Sequence, residues 1–320
     1  MTATDALRLG ARRRASRALA AIWFAVIAWG GSFVAARVLL HASAPHEAAL
    51  SPTVLAAARF TIASMFFLVP LAHAIARRRI TGVDLLRMAL LGQITFSLYF
   101  WLQYTGVQDT NASVASILVV GLIPAATAAL AQVAGTERLS VSKLVALLLG
   151  FAGVVIIALQ DWAHLGLGSS FRFGALCLVG NAFAFAMYST LSKRWMRTVA
   201  PVVMTGGTML SGAVGLLLLS LLDPAVNRWG DVARLDARQW GALLFLALVC
   251  SVAAYFAYNF ALTRVSASRA AVYIYFEPVV AVCLGIALLG EQVSAQTVLG
   301  GLVIAASVAL FRRTEASSVG

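Results

Sequence analysis

Long stretches of this chain carry no charged residue. They are residues 18–36, 88–108, 110–136, 144–160, 173–192, 198–222, 239–263 and 292–311. A helix crossing a bilayer needs about 17–25 predominantly apolar residues. Two further stretches have that character with one charge each: 52–76, interrupted by Arg59, and 270–290, interrupted by Glu277. The pattern predicts an all-α polytopic membrane protein with ten transmembrane helices and connections too short to hold a soluble domain.

The same pattern repeats. IPAATAALAQVAGTERLS (123–140) matches EPVVAVCLGIALLGEQVS (277–294): Pro124 and Pro278 are each followed after twelve residues by Glu, two residues and Ser. WGGSFVAAR (29–37) matches FAMYSTLSK (185–193) in register, and Pro52 matches Pro201. The expected organisation is a basic segment 1–17, a five-helix repeat 18–160, a linker 161–172, a second five-helix repeat 173–312 and a tail 313–320. Five is odd, so the second copy enters the membrane from the opposite side. Two inverted five-helix repeats place a site near the midplane, between the halves, and suit alternating access.

Charge changes the picture less than its size suggests. The chain is 61% hydrophobic and 11% charged, yet its formal charge is +12. With the N-terminus cytoplasmic, the inner side receives Arg8, Arg12, Arg13, Arg14, Arg17, Arg77, Arg78, Arg79, Arg87, Arg138, Lys143, Lys193, Arg194, Arg197, Arg264, Arg269, Arg312 and Arg313. The outer side receives Arg37, Arg172, Arg228, Arg234 and Arg238. This positive-inside bias predicts both termini in the cytoplasm; the basic charge reads as topology, with no nucleic-acid partner. The basic start before 18–36 also resembles a secretory leader. That run is longer than a usual leader core, and the cleavage-like Ala42-Ser43-Ala44 is followed by Pro45, so it is read as the first helix. Cys177, Cys250 and Cys283 lie inside apolar stretches and read as packing residues.

WGGSFVAARVL, YTGVQDTNASVASILVVGLIP with TERLS, and ALTRVSASRAAVYIYFEP with LLGEQVS together resemble the duplicated signature of the drug/metabolite transporter superfamily, EamA type. The resemblance covers nearly the whole chain. It implies ten helices, residence in a bacterial-type inner membrane, and export of amino acids or other small metabolites; some relatives export aromatic amino acids. The first copy departs from the second by one residue between Ala112 and Pro124, so roles on one helix do not transfer automatically to its repeat.

Glu277 and Pro278 are the first candidates. An ionised group inside a membrane is costly and should face a cavity or a partner, and Pro278 should kink the helix and leave carbonyls near Ile274 without their helical donor. Glu277 is a candidate for substrate binding and proton coupling, or a structural group bonded across the repeats; Pro278 and Pro124 are candidate hinges. Arg59 could bind a substrate carboxylate, pair with Glu277, or snorkel towards the surface. Tyr99, Trp101 and Tyr273 could hold a flat ring or an ammonium group, or form ordinary packing and interfacial bands. Tyr273 stands four residues before Glu277, the spacing of one helix face. Ser32 and Tyr188, at equivalent repeat positions, complete the candidates, with Asn181, Gln93 and Gln103 as polar groups that could instead bond helix to helix. Glu137 and Glu291 read as helix-closing residues before capping serines.

The function expected is a secondary transporter exporting a small-molecule substrate, an amino acid first, with drugs, amines or nucleoside-like metabolites as alternatives. No nucleotide-binding glycine loop occurs and the chain has two lysines, so neither ATP nor another cofactor is expected. Protons are a candidate coupling ion. An intramembrane enzyme would need a nucleophile with its base, or a metal cluster, in one span; no such combination and no metal site is visible. A non-transporting scaffold would not need inverted halves.

Overall fold

The computed structural model describes residues 3–40, 49–109, 112–158, 169–222, 228–289 and 295–317. The expected linker 161–172 falls largely outside them, as do Glu291, His41, His46 and His164. Ten helical rods cross the molecule among the described residues, with no strand. In chain order they are α1 (Ala3–Leu40), α2 (Pro52–Ala76), α3 (82–109), α4 (Ala112–Val133) and α5 (Val141–Ala158), then α6 (Ser169–Trp195), α7 (Pro201–Leu222), α8 (237–262), α9 (267–289) and α10 (Ala295–Ser317). Seven helices are long and apolar enough to cross a membrane, and 118–133 and 141–156 form shorter apolar ones.

Local sequence explains the rod ends and interruptions, and it does so twice. Proline opens both α2 and α7, where its missing N–H costs no helical bond. Thr81 and Asp84 form a reciprocal capping box at the start of α3, and Asp236 and Gln239 form another at the start of α8. Both rods then widen into a π-helical stretch, Gln93–Leu98 in α3 and Phe245–Ala253 in α8. Such bulges shift which side chains face the interior.

The repeats interlock as an inverted pair should. α1 packs on α8 and α9 as α6 packs on α3 and α4, and α2 meets α8 as α7 meets α3. Equivalent helices meet each other in α2–α7 and α5–α10, the mark of a two-fold relation. Close approach needs small residues: a Cβ on Gly212 of α7 would lie 2.9 Å from the Gly92 carbonyl oxygen of α3. Ten crossings leave the start of α1 and the end of α10 on one side, called here the terminal face; the other is the distal face.

Candidate functional site

The two π-helical stretches build the centre of the molecule. In α8, the Cys250 carbonyl accepts a 3.0 Å bond from Trp29 Nε1, and Cys250 Sγ reaches the Ala28 carbonyl at 3.1 Å. These bonds tie α1 to α8 and hold the Trp29 indole at mid-depth. Its repeat equivalent, Phe185 of α6, packs edge-on against it at 5.8 Å. Tyr255 of α8 closes the group at 5.2 Å from Trp29.

These rings border a cavity of about 130 Å³. Its walls follow helical periodicity: Trp29, Ser32 and Ala36 on α1, Tyr99, Phe100 and Gln103 on α3, Val119, Val120 and Ile123 on α4. Arg59, Phe185, Tyr255, Ile274 and Glu277 complete them. Counting along the repeats, Trp29 with Phe185, Phe100 with Tyr255, Val120 with Ile274 and Ile123 with Glu277 are equivalent pairs. The cavity therefore straddles the pseudo-two-fold axis, and from there it extends towards the distal face along Ser32, Ala36, Gln103 and Val119.

Its charges come from broken symmetry. Glu277 occupies the position that Ile123 holds in the first repeat, and Arg59 matches Thr208, which is buried and bonded to its own helix. Arg59 is only 9% exposed and its Nε donates a 2.7 Å bond to Ser251 Oγ. The side chain thus turns inward to mid-depth; of the three expectations for Arg59, snorkelling is not what the structure has, because that bond and the flanking rings of Phe60 and Phe100, 4.9 and 5.8 Å from the guanidinium carbon, hold it inside. Arg59 and Glu277 line the same cavity, and no ion pair joins them among the described residues. Pairing is the second expectation the structure does not adopt.

The remaining candidates separate. Tyr99 and Ser32 line the cavity, with Ser32 Oγ donating to the Trp29 carbonyl at 2.6 Å. Trp101 does not: two residues beyond Tyr99, it points to the other side of α3 and is 45% exposed. Tyr273 is buried against Trp23, rings 5.5 Å apart and edge-on. The expected shared face with Glu277 fails because Tyr273–Phe276 form a 3₁₀ turn. With three residues per turn, Ile274 rather than Tyr273 stands in line with Glu277. The same turn gives the Ile274 carbonyl the Glu277 N–H as donor, so it is not left free as Pro278 led us to expect. Pro278 then sits at the start of a fresh α-helical segment, whereas Pro124 lies inside an unbroken α4. Asn181 bonds the Tyr99 carbonyl and Gln93 bonds Ser211, both helix to helix. Gln103, raised as a polar group that could instead bond helix to helix, lines the cavity, as do Phe100 and Phe185, which were not put forward as binding candidates; the i, i+1, i+4 set Tyr99–Phe100–Gln103 was the available signal.

Tyr188 lies outside the cavity, on the terminal side, where the interior is filled. It is fully buried and accepts a 2.6 Å bond from Asn259 Nδ2, which also bonds Thr205 Oγ1 at 2.8 Å. Tyr258 shares a 3.0 Å bond with Ser189. At the terminal face itself, the Glu137 carboxylate at the end of α4 accepts the backbone N–H of Ala267 at 2.6 Å and of Ser268 at 3.4 Å. Glu137 therefore caps α9, the helix that carries Glu277, while Ser140 caps α5. Lys193 reaches the Val265 carbonyl beside it. Among the described residues no three His, Cys, Asp or Glu side chains lie close enough to share a metal ion.

Two stretches, residues 16–159 and 172–313, each match the EamA-like transporter family, one per repeat. The chain belongs to that family. An uncharacterized transporter of Archaeoglobus fulgidus is 29% identical to this EamA-like chain over 256 residues, 80% of this chain and 87% of that protein. A probable terminal-alkyne amino-acid exporter of Streptantibioticus cattleyicolor is 26% identical over 95% of this chain and 98% of its own length. A crystal structure 22% identical in sequence superposes with a TM-score of 0.74, over 94% of this chain and 99% of that one, and shares the EamA-like fold.

Proposed function

We propose that this EamA-like transporter exports a small zwitterionic metabolite, an amino acid first, by alternating access through the cavity between its repeats. The observation that carries the reading is that Arg59 and Glu277 line one aromatic-walled cavity without pairing. A zwitterion offers a carboxylate to the guanidinium and an ammonium to the carboxylate or to the face of Trp29, Tyr99 or Phe100. The name of the Streptantibioticus relative, an amino-acid exporter, agrees with this class. In this reading both termini are cytoplasmic, the membrane is a bacterial-type inner membrane, and the cavity extends towards the outside. Glu277 is the coupling group: it holds substrate ammonium on the outward journey and a proton on the return.

The test is flux in proteoliposomes over a panel of amino acids and amines, with and without a pH gradient. Glu277→Gln is expected to lower amino-acid flux about tenfold or more while the purified protein stays folded, since one charged partner is lost. Flux equal to wild type in the variant, with or without the gradient, refutes the role of Glu277. A wild type that moves none of the panel refutes the substrate class.

A further inference from the structure

The cavity contains a charged group whose aim is set by a residue that does not line it. Arg59 has five N–H donors in a planar fork. Only Nε is occupied, by Ser251 Oγ at 2.7 Å. The four N–H bonds on its two Nη atoms have no acceptor among the described residues, although the residue is more than nine-tenths buried. Those two atoms are not among the buried unpartnered polar atoms of the described residues; they belong to a side chain that borders an open space, where a ligand can reach them.

Ser251 is held so that it can only accept. Its hydroxyl proton is committed to the Leu246 carbonyl at 2.9 Å, five residues earlier in the chain. That spacing belongs to the π-helical stretch Phe245–Ala253, which stacks residue 251 over the carbonyl of residue 246. The oxygen lone pairs then face Arg59. Nothing equivalent exists in the first repeat: the two capping boxes align Ser251 with Phe96, a fully buried ring packed 4.8 Å from Phe60.

We infer that Ser251 is a positioning residue for anion selectivity: by taking Nε it leaves the paired Nη edge of Arg59 as the only one free to receive a substrate carboxylate. The aromatic rings of Phe60 and Phe100 limit the tilt of the guanidinium plane, and Ser251 sets its rotation within that plane. A carboxylate then meets two parallel N–H bonds end-on, the geometry that distinguishes Arg recognition from a point charge. This rests on the proposed function in one respect, that Arg59 receives the substrate anion.

The experiment measures ligand-induced thermal stabilisation of the purified full chain with the twenty proteinogenic amino acids and with the amines that lack their carboxylates. It compares wild type, Ser251→Ala, Ser251→Thr and Arg59→Lys. The expected result is that Ser251→Ala weakens binding of the stabilising amino acids about tenfold and leaves their amines unchanged. Ser251→Thr, which keeps the hydroxyl, should restore carboxylate binding; a merely structural serine would weaken both ligand classes together. Should Ser251→Ala not fold, Ser251→Cys, a weaker acceptor, replaces it with the same selective loss expected. If Arg59→Lys loses carboxylate binding while the Ser251 variants match wild type, the inference about Ser251 is overturned and the proposed function stands. If Arg59→Lys binds as wild type, or no amino acid stabilises the protein, the role of Arg59 falls and this inference with it.

Discussion

Equivalent positions of the two repeats have opposite fates on the two sides of the midplane. On the distal side Ser32, Gln103 and Val119 border open space. Their counterparts on the terminal side, Tyr188, Tyr258 and Tyr273, are buried to 1% exposure or less. Between them, the pairs nearest the axis all line the cavity together. The backbone is thus close to symmetric while the filling is not. Three tyrosines, two of them with hydroxyls bonded to Asn259 and Ser189, plug on one side the space that small or flexible residues leave on the other. A structure that can face either side needs two packings of similar free energy. Under the proposed alternating access, the plug and the Glu137 cap are expected to favour the packing seen.

The comparison breaks hardest if the open side is given the residue of the closed one. Ser32→Tyr should lower flux about tenfold or more, because the larger side chain fills the open space a substrate would pass, and raising that barrier by about 1.4 kcal/mol is a factor of ten. Retained flux would mean that substrate does not pass Ser32. A smaller effect is expected from Glu137→Gln, which weakens the cap on Ala267; losing such a cap costs about 0.5–2 kcal/mol. It should raise thiol labelling of Ser192→Cys from the terminal side about two- to tenfold, in a chain whose own cysteines are replaced. Unchanged labelling would show that the cap stabilises α9 in both packings alike. The smallest effect belongs to Trp101→Ala. With Trp101 turned away from the cavity, substrate affinity should stay within about twofold of wild type, whereas a larger change would bring α3 round by a third of a turn.

The candidate site was legible where it depended on composition and failed where it depended on helix phase. Arg59 and Glu277 stood out as charges in oil, and both line the cavity. Tyr99 followed from the aromatic run. Tyr273 was misplaced because an α-helical spacing was applied to a segment that Pro278 and its neighbours wind into a 3₁₀ turn. Trp101 was grouped with Tyr99 although two residues on a helix point apart. Ser251 carried no signal, since a serine in an apolar helix is ordinary and its importance lies in what the π-helical turn stacks it against.

The chain by itself determined the number of rods, the duplication and, through an odd count of helices, the inversion of the second copy. These follow from how much apolar surface must meet lipid and from parity, neither of which needs contacts. Only the tertiary structure decided which side of the axis is hollow, that Arg59 turns inward, and that it shares a cavity with Glu277 without pairing. Those outcomes depend on half-turn differences in helix phase and on side-chain volume across the interface, quantities that a one-dimensional pattern of apolar and polar residues does not encode.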